Sequence, residues 1–526
     1  NLFNVIASCW AMTTTPEHSF VFSIPNKCSV GKTLLRQLDI QIEKISFLTE
    51  KHLSRLVKWK LEKLTIPNRK VRIPMVQHNS LSEKGQERIS AVFSTLQIGQ
   101  LLRKAGISKS FGLSSLAIFR LIFTLVFEGR NWFRLLHSDR RESLPGKDVV
   151  YRFLNHPRFA WRRFLHALSL KIVQHFDSLT SSSRVRTFII DDSVLRRDRS
   201  KKAELLARVF DHTTGRYTRG YNMLTLGWSD GFSFAPIDFV MLSSAKLANR
   251  FCEMKERLSK RTQGYKRRIE ALSRKPDAVV ALLDRAIQAG FSADFVLMDS
   301  WFTQAPLLRE LMAKGLHVIG MVKAMKQRYR LDGKSLTLHE LYALLPKQKN
   351  KEILGSVIVQ TACGLPIKLV FVQNRHRRRD WLVLLSTDLA LEDAEIVRIY
   401  GMRWSIETFF KFAKSYLKLG TEFQGRSFDM LISHTTIVFT RYLVMEWERR
   451  HENDARSLGG LFFLFSDEVR DLDLKTALQH LIAFFMAFTE AKSKRDQSAV
   501  FRQLQQWIAS LPNYIKGLFG KLSCES

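Results

Sequence analysis

From Ile89 onward apolar residues recur at helical spacing: Leu96, Ile98, Leu101 and Leu102, then residues 113–127, 149–153 and 159–173. Turn signals at Lys104-Ala-Gly-Ile-Ser and Ser143-Leu-Pro-Gly-Lys separate these runs, so the pattern predicts several short helices up to about Thr180. The period then changes. Residues 186–193 (Arg-Thr-Phe-Ile-Ile-Asp191-Asp192-Ser) read as a buried strand ending in two carboxylates, and they open an α/β region. Residues 221–228 and 232–242 read as an antiparallel hairpin through Ser229-Asp230-Gly231. A very basic helical segment holding Lys255, Arg257, Lys260, Arg261, Lys266, Arg267 and Arg268 follows, then a helix over 277–288. Phe295-Val-Leu-Met-Asp299 is the next strand, again ending in Asp; a helix over 306–314 and a strand over 316–322 complete the unit. Residues 353–361, 366–373 and 381–387 read as an inserted antiparallel sheet with a basic loop at 374–379. Beyond it the chain reads as helical to its end, with candidates at 400–414, 431–447, 474–489 and 500–508.

These elements divide the 526 residues into a helical domain over 75–180, a core in two parts (181–330 and 390–425), a β-rich insertion over 331–389 and a helical region over 426–526. Residues 1–74 carry no motif and stay unassigned; the expectation is that native coding begins at Met75. Gly31-Lys32-Thr33 is not a phosphate-binding loop, because the position that requires the first glycine is Asn26.

Charge narrows the class of partner. With 83 Lys and Arg against 49 Asp and Glu, the formal charge is +34, which points to a polyanion. The most apolar segment, 116–127, is interrupted by Arg120 and is too short to span a bilayer, so nucleic acid is the better partner. The Arg- and Lys-bearing short helices of 75–180 then fit a helix-turn-helix-like DNA-binding domain, although short helices with Gly turns also occur in any bundle. Five cysteines, Cys9, Cys28, Cys252, Cys363 and Cys524, are odd in number and form no C-x-x-C pair, so neither a disulfide framework nor a zinc site is predicted and the compartment reads as reducing. No H-E-x-x-H pairing exists among the 14 histidines. A catalytic metal would be held by carboxylate oxygens, which selects Mg²⁺ or Mn²⁺.

The chemistry gathers on one predicted helix. At about 100° per residue, Tyr400, Arg403, Glu407, Lys411 and Lys414 share an arc of roughly 80°, while Met402, Ile406, Phe409, Phe410, Ala413 and Leu417 cover the opposite face. A Glu with Lys at i+4 and i+7 is common on solvated helices. One carboxylate ringed by cations and a phenol also suits a metal beside a phosphate. Strand-terminal Asp residues are weak signals singly, since they often cap the next helix. Together, Asp191 or Asp192, Asp299 and Glu407 supply what a two-metal phosphodiester site needs.

These residues resemble the DDE transposases of bacterial insertion sequences, in particular the family-four group whose last motif is Y-(2)-R-(3)-E-(6)-K, complete here as Tyr400, Arg403, Glu407 and Lys414. Phe188-Ile-Ile-Asp-Asp-Ser-Val-Leu resembles the group's first motif, D-D-T or D-G-T with Ser193 in place of Thr; Val296-Leu-Met-Asp299-Ser-Trp-Phe302 resembles the second. The resemblance covers about residues 186–420. It implies a ribonuclease H-like α/β core with a β-rich insertion, flanked by helical domains. It also implies Mg²⁺- or Mn²⁺-dependent cleavage at terminal inverted repeats, strand transfer into target DNA by the freed 3′-hydroxyl, and a homodimer or higher multimer on paired double-stranded ends. The location implied is a bacterial cytoplasm, at the nucleoid. Asp191, Asp192, Asp299 and Glu407 become the catalytic candidates, with Asp191, Asp299 and Glu407 as metal ligands. Tyr400, Arg403, Lys411 and Lys414, together with Arg377 and Arg378 of the basic loop, become the DNA contacts. Strand alternation lets only one of Asp191 and Asp192 face the active edge, and both faces of the strand are apolar; the D-G-T form of the motif favours Asp191. Two other readings share the composition: a ribonuclease H-like nuclease that cuts without joining, and a DNA-binding protein with an inactive core.

Overall fold

The computed structural model describes residues 11–14, 20–23, 87–137, 141, 144–181, 183–255, 258–325, 327–346, 352–374, 380–423, 425–451, 456–467, 469, 478, 481, 485 and 493–510. They fall in two compact units. The smaller holds an antiparallel hairpin, β1 (Ala11–Thr14) and β2 (Phe20–Ser23), and the C-terminal helix Lys494–Ser510. The helix expected over 474–489 lies almost wholly outside the described residues, as does most of 1–74 and the loop bearing Arg377 and Arg378.

In the larger unit the helical pattern resolves into α1 (Glu87–Thr95), α2 (Ile98–Lys104), α3 (Ser115–Thr124), α4 (Trp132–Leu136, whose last residues fall in the smaller unit), α5 (Lys147–Leu154) and α6 (Trp161–Ser178). Ser114 starts α3 by accepting a bond from the Ala117 amide at 3.1 Å. Aromatic residues at helical spacing fill the space between these helices: Phe93 meets Phe123 edge-on at 4.9 Å, and Phe119 meets Phe164 at 5.4 Å.

The sheet is built on β3 (Thr187–Arg196), whose first four residues are buried, with Phe188, Ile189 and Ile190 apolar. It is flanked by antiparallel β5 (Arg216–Ser229) and by parallel β7 (Phe295–Met298), beyond which lies parallel β8 (His317–Val322). β6 (Phe234–Leu242) pairs with the far side of β5. The order β6-β5-β3-β7-β8, with β5 alone reversed, is a ribonuclease H-like core. β5 is longer than expected from the sequence. Its first residues pair with β4 (Ala207–Asp211), a strand whose mixed composition gave no period-2 signal strong enough to predict it. The strands expected as a separate inserted sheet continue the core: β11 (Ile353–Gln360), β12 (Pro366–Gln373) and β13 (Trp381–Ser386) pair in turn, and β13 joins β8. The short β9 (Tyr329–Leu331) and β10 (Lys334–Leu336) finish that edge.

Helices cover both faces. Asp238 of β6 points to α6 and to α8 (Lys275–Gln288), where Arg162 and Arg285 each donate to it through Nε at 2.9 Å. Its neighbour Phe239 points the other way, onto Phe439 of α13 (Phe428–His451). α13 is buried along most of its length. Its wholly buried Arg441 donates to the Phe123 carbonyl and to Glu422, which also bonds His434 at 2.8 Å. Burial of charge on this scale is tolerable only because each ion is paired.

Candidate active site

The helix predicted over 400–414 is in fact two. α11 (Asp393–Gly401) and α12 (Trp404–Ser415) meet at Met402–Arg403, where four amides, those of Met402, Arg403, Ser405 and Ile406, bond three residues back instead of four. Tyr400 therefore sits at the end of α11, and Arg403 at the tightened junction that starts α12. Phe409 anchors α12 against the sheet, with ring contacts to Phe234 (5.4 Å), Phe439 (5.0 Å) and Tyr442 (4.8 Å). That docking aims the opposite face of α12 along the carboxyl end of β3.

Pairing of Ile190 with Met298 brings Asp191 level with Asp299, just past the end of β7, so the two carboxylates leave adjacent parallel strands at one edge. Arg403 completes the group. Its guanidinium donates to Asp191 Oδ2 at 3.1 Å and to Glu407 Oε1. Asp192 faces the other side of the sheet, where Lys275 at the start of α8 donates to it at 2.9 Å and also lies 4.6 Å from the Trp301 ring. The adjacent carboxylates thus have separate partners. Lys275 escapes sequence reading because a single Lys has no signature, and Trp301 is read there only as a position within the second motif.

Burial pushes the Asp191 carboxyl up to about 7, against the pull of Arg403 and with Asp192 and Asp299 adding repulsion. Burial likewise pushes the Tyr400 phenol up to about 12. Burial works to lower the Arg403 guanidinium, but Tyr400, Asp191 and Glu407 hold it well above its ordinary value. Among the described residues the buried hydroxyls of Tyr400 and Ser300 find no acceptor, which leaves two donors turned away from water beside the carboxylates. Lys411 and Lys414 are exposed further along α12, and Lys414 has Asp211 and Arg196 as charged neighbours. Arg377 and Arg378 lie outside the described residues.

Asp191, Asp299 and Glu407 are hard oxygen donors of the kind that suits Mg²⁺ or Mn²⁺. In the absence of a metal they are not grouped as a cage. Among the described residues no three His, Cys, Asp or Glu side chains are grouped closely enough to hold an ion, and Arg403 lies between Asp191 and Glu407. The reason is electrostatic: close carboxylates repel, and a guanidinium between them offsets the charge that a cation would otherwise balance.

Residues 142–336 match the family model described as DDE superfamily endonuclease, and residues 273–443 match the one described as Transposase DDE domain. These matches support a DDE transposase. The first match spans Asp191, Asp192 and Asp299; the second spans Asp299, Arg403 and Glu407. Two solved structures are similar to this chain. One is the piggyBac transposase synaptic complex with hairpin DNA, 13% identical over 80% of this chain and 84% of that one, with a TM-score of 0.41. The other is the Drosophila P element transposase strand transfer complex, 8% identical over 82% and 84% of the two chains, with a TM-score of 0.20. A search of curated proteins gives no match. No helix among the described residues is long and apolar enough to cross a membrane.

Proposed function

We propose that this transposase binds the terminal inverted repeats of its element, cleaves them in a metal-dependent reaction and transfers the freed 3′-hydroxyl to target DNA, as cut-and-paste transposases of the family-four insertion sequences do. The observation that carries the reading is the junction of Asp191 and Asp299 on adjacent strand ends with Glu407, tied to Asp191 through Arg403. In this reading Asp191, Asp299 and Glu407 hold Mg²⁺ or Mn²⁺, and Asp192 serves to seat Lys275. When bound, the metal supplies activation of the attacking oxygen and stabilisation of the leaving one. A phosphate entering the site offers Arg403 a second anion, which would free Asp191 and Glu407 from their bridge. Tyr400 and Ser300, whose hydroxyls find no acceptor among the described residues, then have one. Lys411 and Lys414 extend the cationic track along α12, and Arg377 and Arg378 would add to it from the basic loop. The protein acts as a dimer or higher multimer on paired ends.

The test is to incubate the full chain with Mg²⁺ and duplex DNA from the element's flanks and to map breaks and joints. Cuts at the repeat termini with joined products support transposition. Cuts without joints favour a nuclease, and binding without cuts overturns the enzyme reading.

A further inference from the structure

β4 and the start of β5 form a two-stranded ribbon that runs on past the end of β3, and its outward face has an unusual composition. Along β4 burial alternates, so Arg208 and Phe210 face solvent while Ala207, Val209 and Asp211 face inward. The register sets Arg208 directly opposite Arg219 and Phe210 directly opposite Tyr217. Like charges facing each other across a strand pair destabilise it. Neither arginine has an ion-pair partner among the described residues, and neither do neighbouring Arg199, Lys201, Lys202 and Arg216. Of the two carboxylates at the ribbon, Asp211 is taken by Arg196 at 2.8 Å, and Asp198 accepts from the Thr218 hydroxyl and the Arg219 amide. Instead the arginines lie over aromatic rings: Arg208 is 4.2 Å from the centre of Tyr217 and Arg219 is 4.6 Å from that of Phe251. Tyr217 is 61% exposed and Phe251 46%, so these rings cover no core.

Cations without counter-charges alternating with exposed rings match the needs of unpaired nucleotides, whose phosphates want the cations and whose bases have free faces to stack. A duplex would use the cations and leave the rings idle. We propose that the β4–β5 ribbon docks an unpaired stretch of DNA strand, with a base stacked on Tyr217 and phosphates held by Arg208 and Arg219. The ribbon is placed for this. By the register, Arg219 and Tyr217 alternate in phase with Thr225, which pairs with Asp191, so they share its face of the sheet, and the end of β3 at Arg196 lies five residues, about 17 Å, beyond Asp191. The ribbon thus extends the cationic track of the active site to where a strand separated beside the cut would pass. The inference rests on the DNA-cleaving reading for its biological setting, and its test does not.

The experiment is fluorescence anisotropy of the full chain with a labelled oligothymidylate and with a duplex of equal length, as a function of salt. Tyr217→Ala should weaken oligothymidylate binding by roughly 5- to 100-fold and leave duplex binding unchanged. Tyr217→Phe should bind like the unaltered protein. Arg208→Gln with Arg219→Gln should reduce the salt slope for the single strand by about 1.4, at roughly 0.7 per phosphate. Matching thermal midpoints verify folding, which the exposure of Tyr217 favours. If Tyr217→Ala binds oligothymidylate normally, or loses both DNAs equally, the proposal is overturned, even where the protein still cuts its ends. If stacking depends on Tyr217 while duplex ends are neither bound nor cut, the ribbon stands and the cleavage reading falls.

Discussion

Asp191→Asn should make the metal-free protein more stable while abolishing cleavage, and the reason can be worked from the site. The carboxyl titrates near 7 in the folded chain and near 3.9 when unfolded. As pH rises from about 4 to 7 the unfolded chain releases this proton first, so a folded-state pKa that is raised costs stability through that window. The full cost of ionising Asp191 above pH 7 is roughly 4 kcal/mol, at about 1.4 kcal/mol for each tenfold shift. Asn keeps the shape and avoids the charge. Relaxation of the site and the weaker bond from Arg403 to a neutral amide offset part of this, leaving a gain of about 1–3 kcal/mol. Thermal or urea unfolding in EDTA should show the variant above wild type at about pH 8 and level with it near pH 4. Asp192→Asn should shift the other way, because it removes the partner of Lys275 and relieves nothing. An Asp191→Asn variant that is less stable at high pH, or whose difference from wild type ignores pH, would refute the argument that this carboxylate is held charged against its surroundings.

Two further outcomes are expected. Asp299→Asn and Glu407→Gln should each abolish Mg²⁺-dependent cleavage while gel-shift binding of the ends stays near wild type, since the change removes charge at the cut and no contact along the backbone. Asp238→Asn should cost about 1–3 kcal/mol in urea unfolding, because it removes the carboxylate that the half-buried Arg162 and Arg285 share and leaves them only Glu270. Those cations hold Asp238 well below the usual carboxylate range, so its contribution is present above pH 4 or so and fades on acidification, and the variant should lose that part of the acid sensitivity.

Much of the core was legible because the residues that form it obey simple periods. The apolar run before Asp191, the similar run before Asp299 and the i, i+3, i+4 apolar face at Ile406, Phe409 and Phe410 each place one candidate carboxylate on a predictable element. What could not be read is what needs a third dimension. Both faces of β3 are buried, so only the positions of Lys275 and Arg403 separate Asp192 from Asp191. The break at Met402–Arg403 carries no Pro, and the Gly401 that precedes it leaves the apolar pattern intact, so a single helix was the natural reading. β4 is five residues long with a charged and an aromatic residue on its solvent side, which is invisible to a hydrophobic pattern.

The charge of the chain illustrates the same limit and gives it a use. The basic segment 255–268 looked uniform, yet Arg268 is wholly buried between Glu204 and Asp429, and Arg267 also meets Asp429 at 3.1 Å. Arg162, Arg285 and Arg441 are likewise committed to Asp238 and Glu422. Each such pair withdraws an acid from the surface along with a base. The formal surplus of +34 is unchanged by burial of neutral pairs, so it is carried by fewer exposed groups and dilutes less among surface carboxylates. Basic residues read along the chain therefore divide into two populations with opposite physics. The buried ones fix the packing of helices on the sheet and should be insensitive to salt. Lys411 and Lys414 on α12 and Arg208 and Arg219 on the β4–β5 ribbon form no ion pair among the described residues, and they are where a polyanion would be held and where added salt should weaken binding.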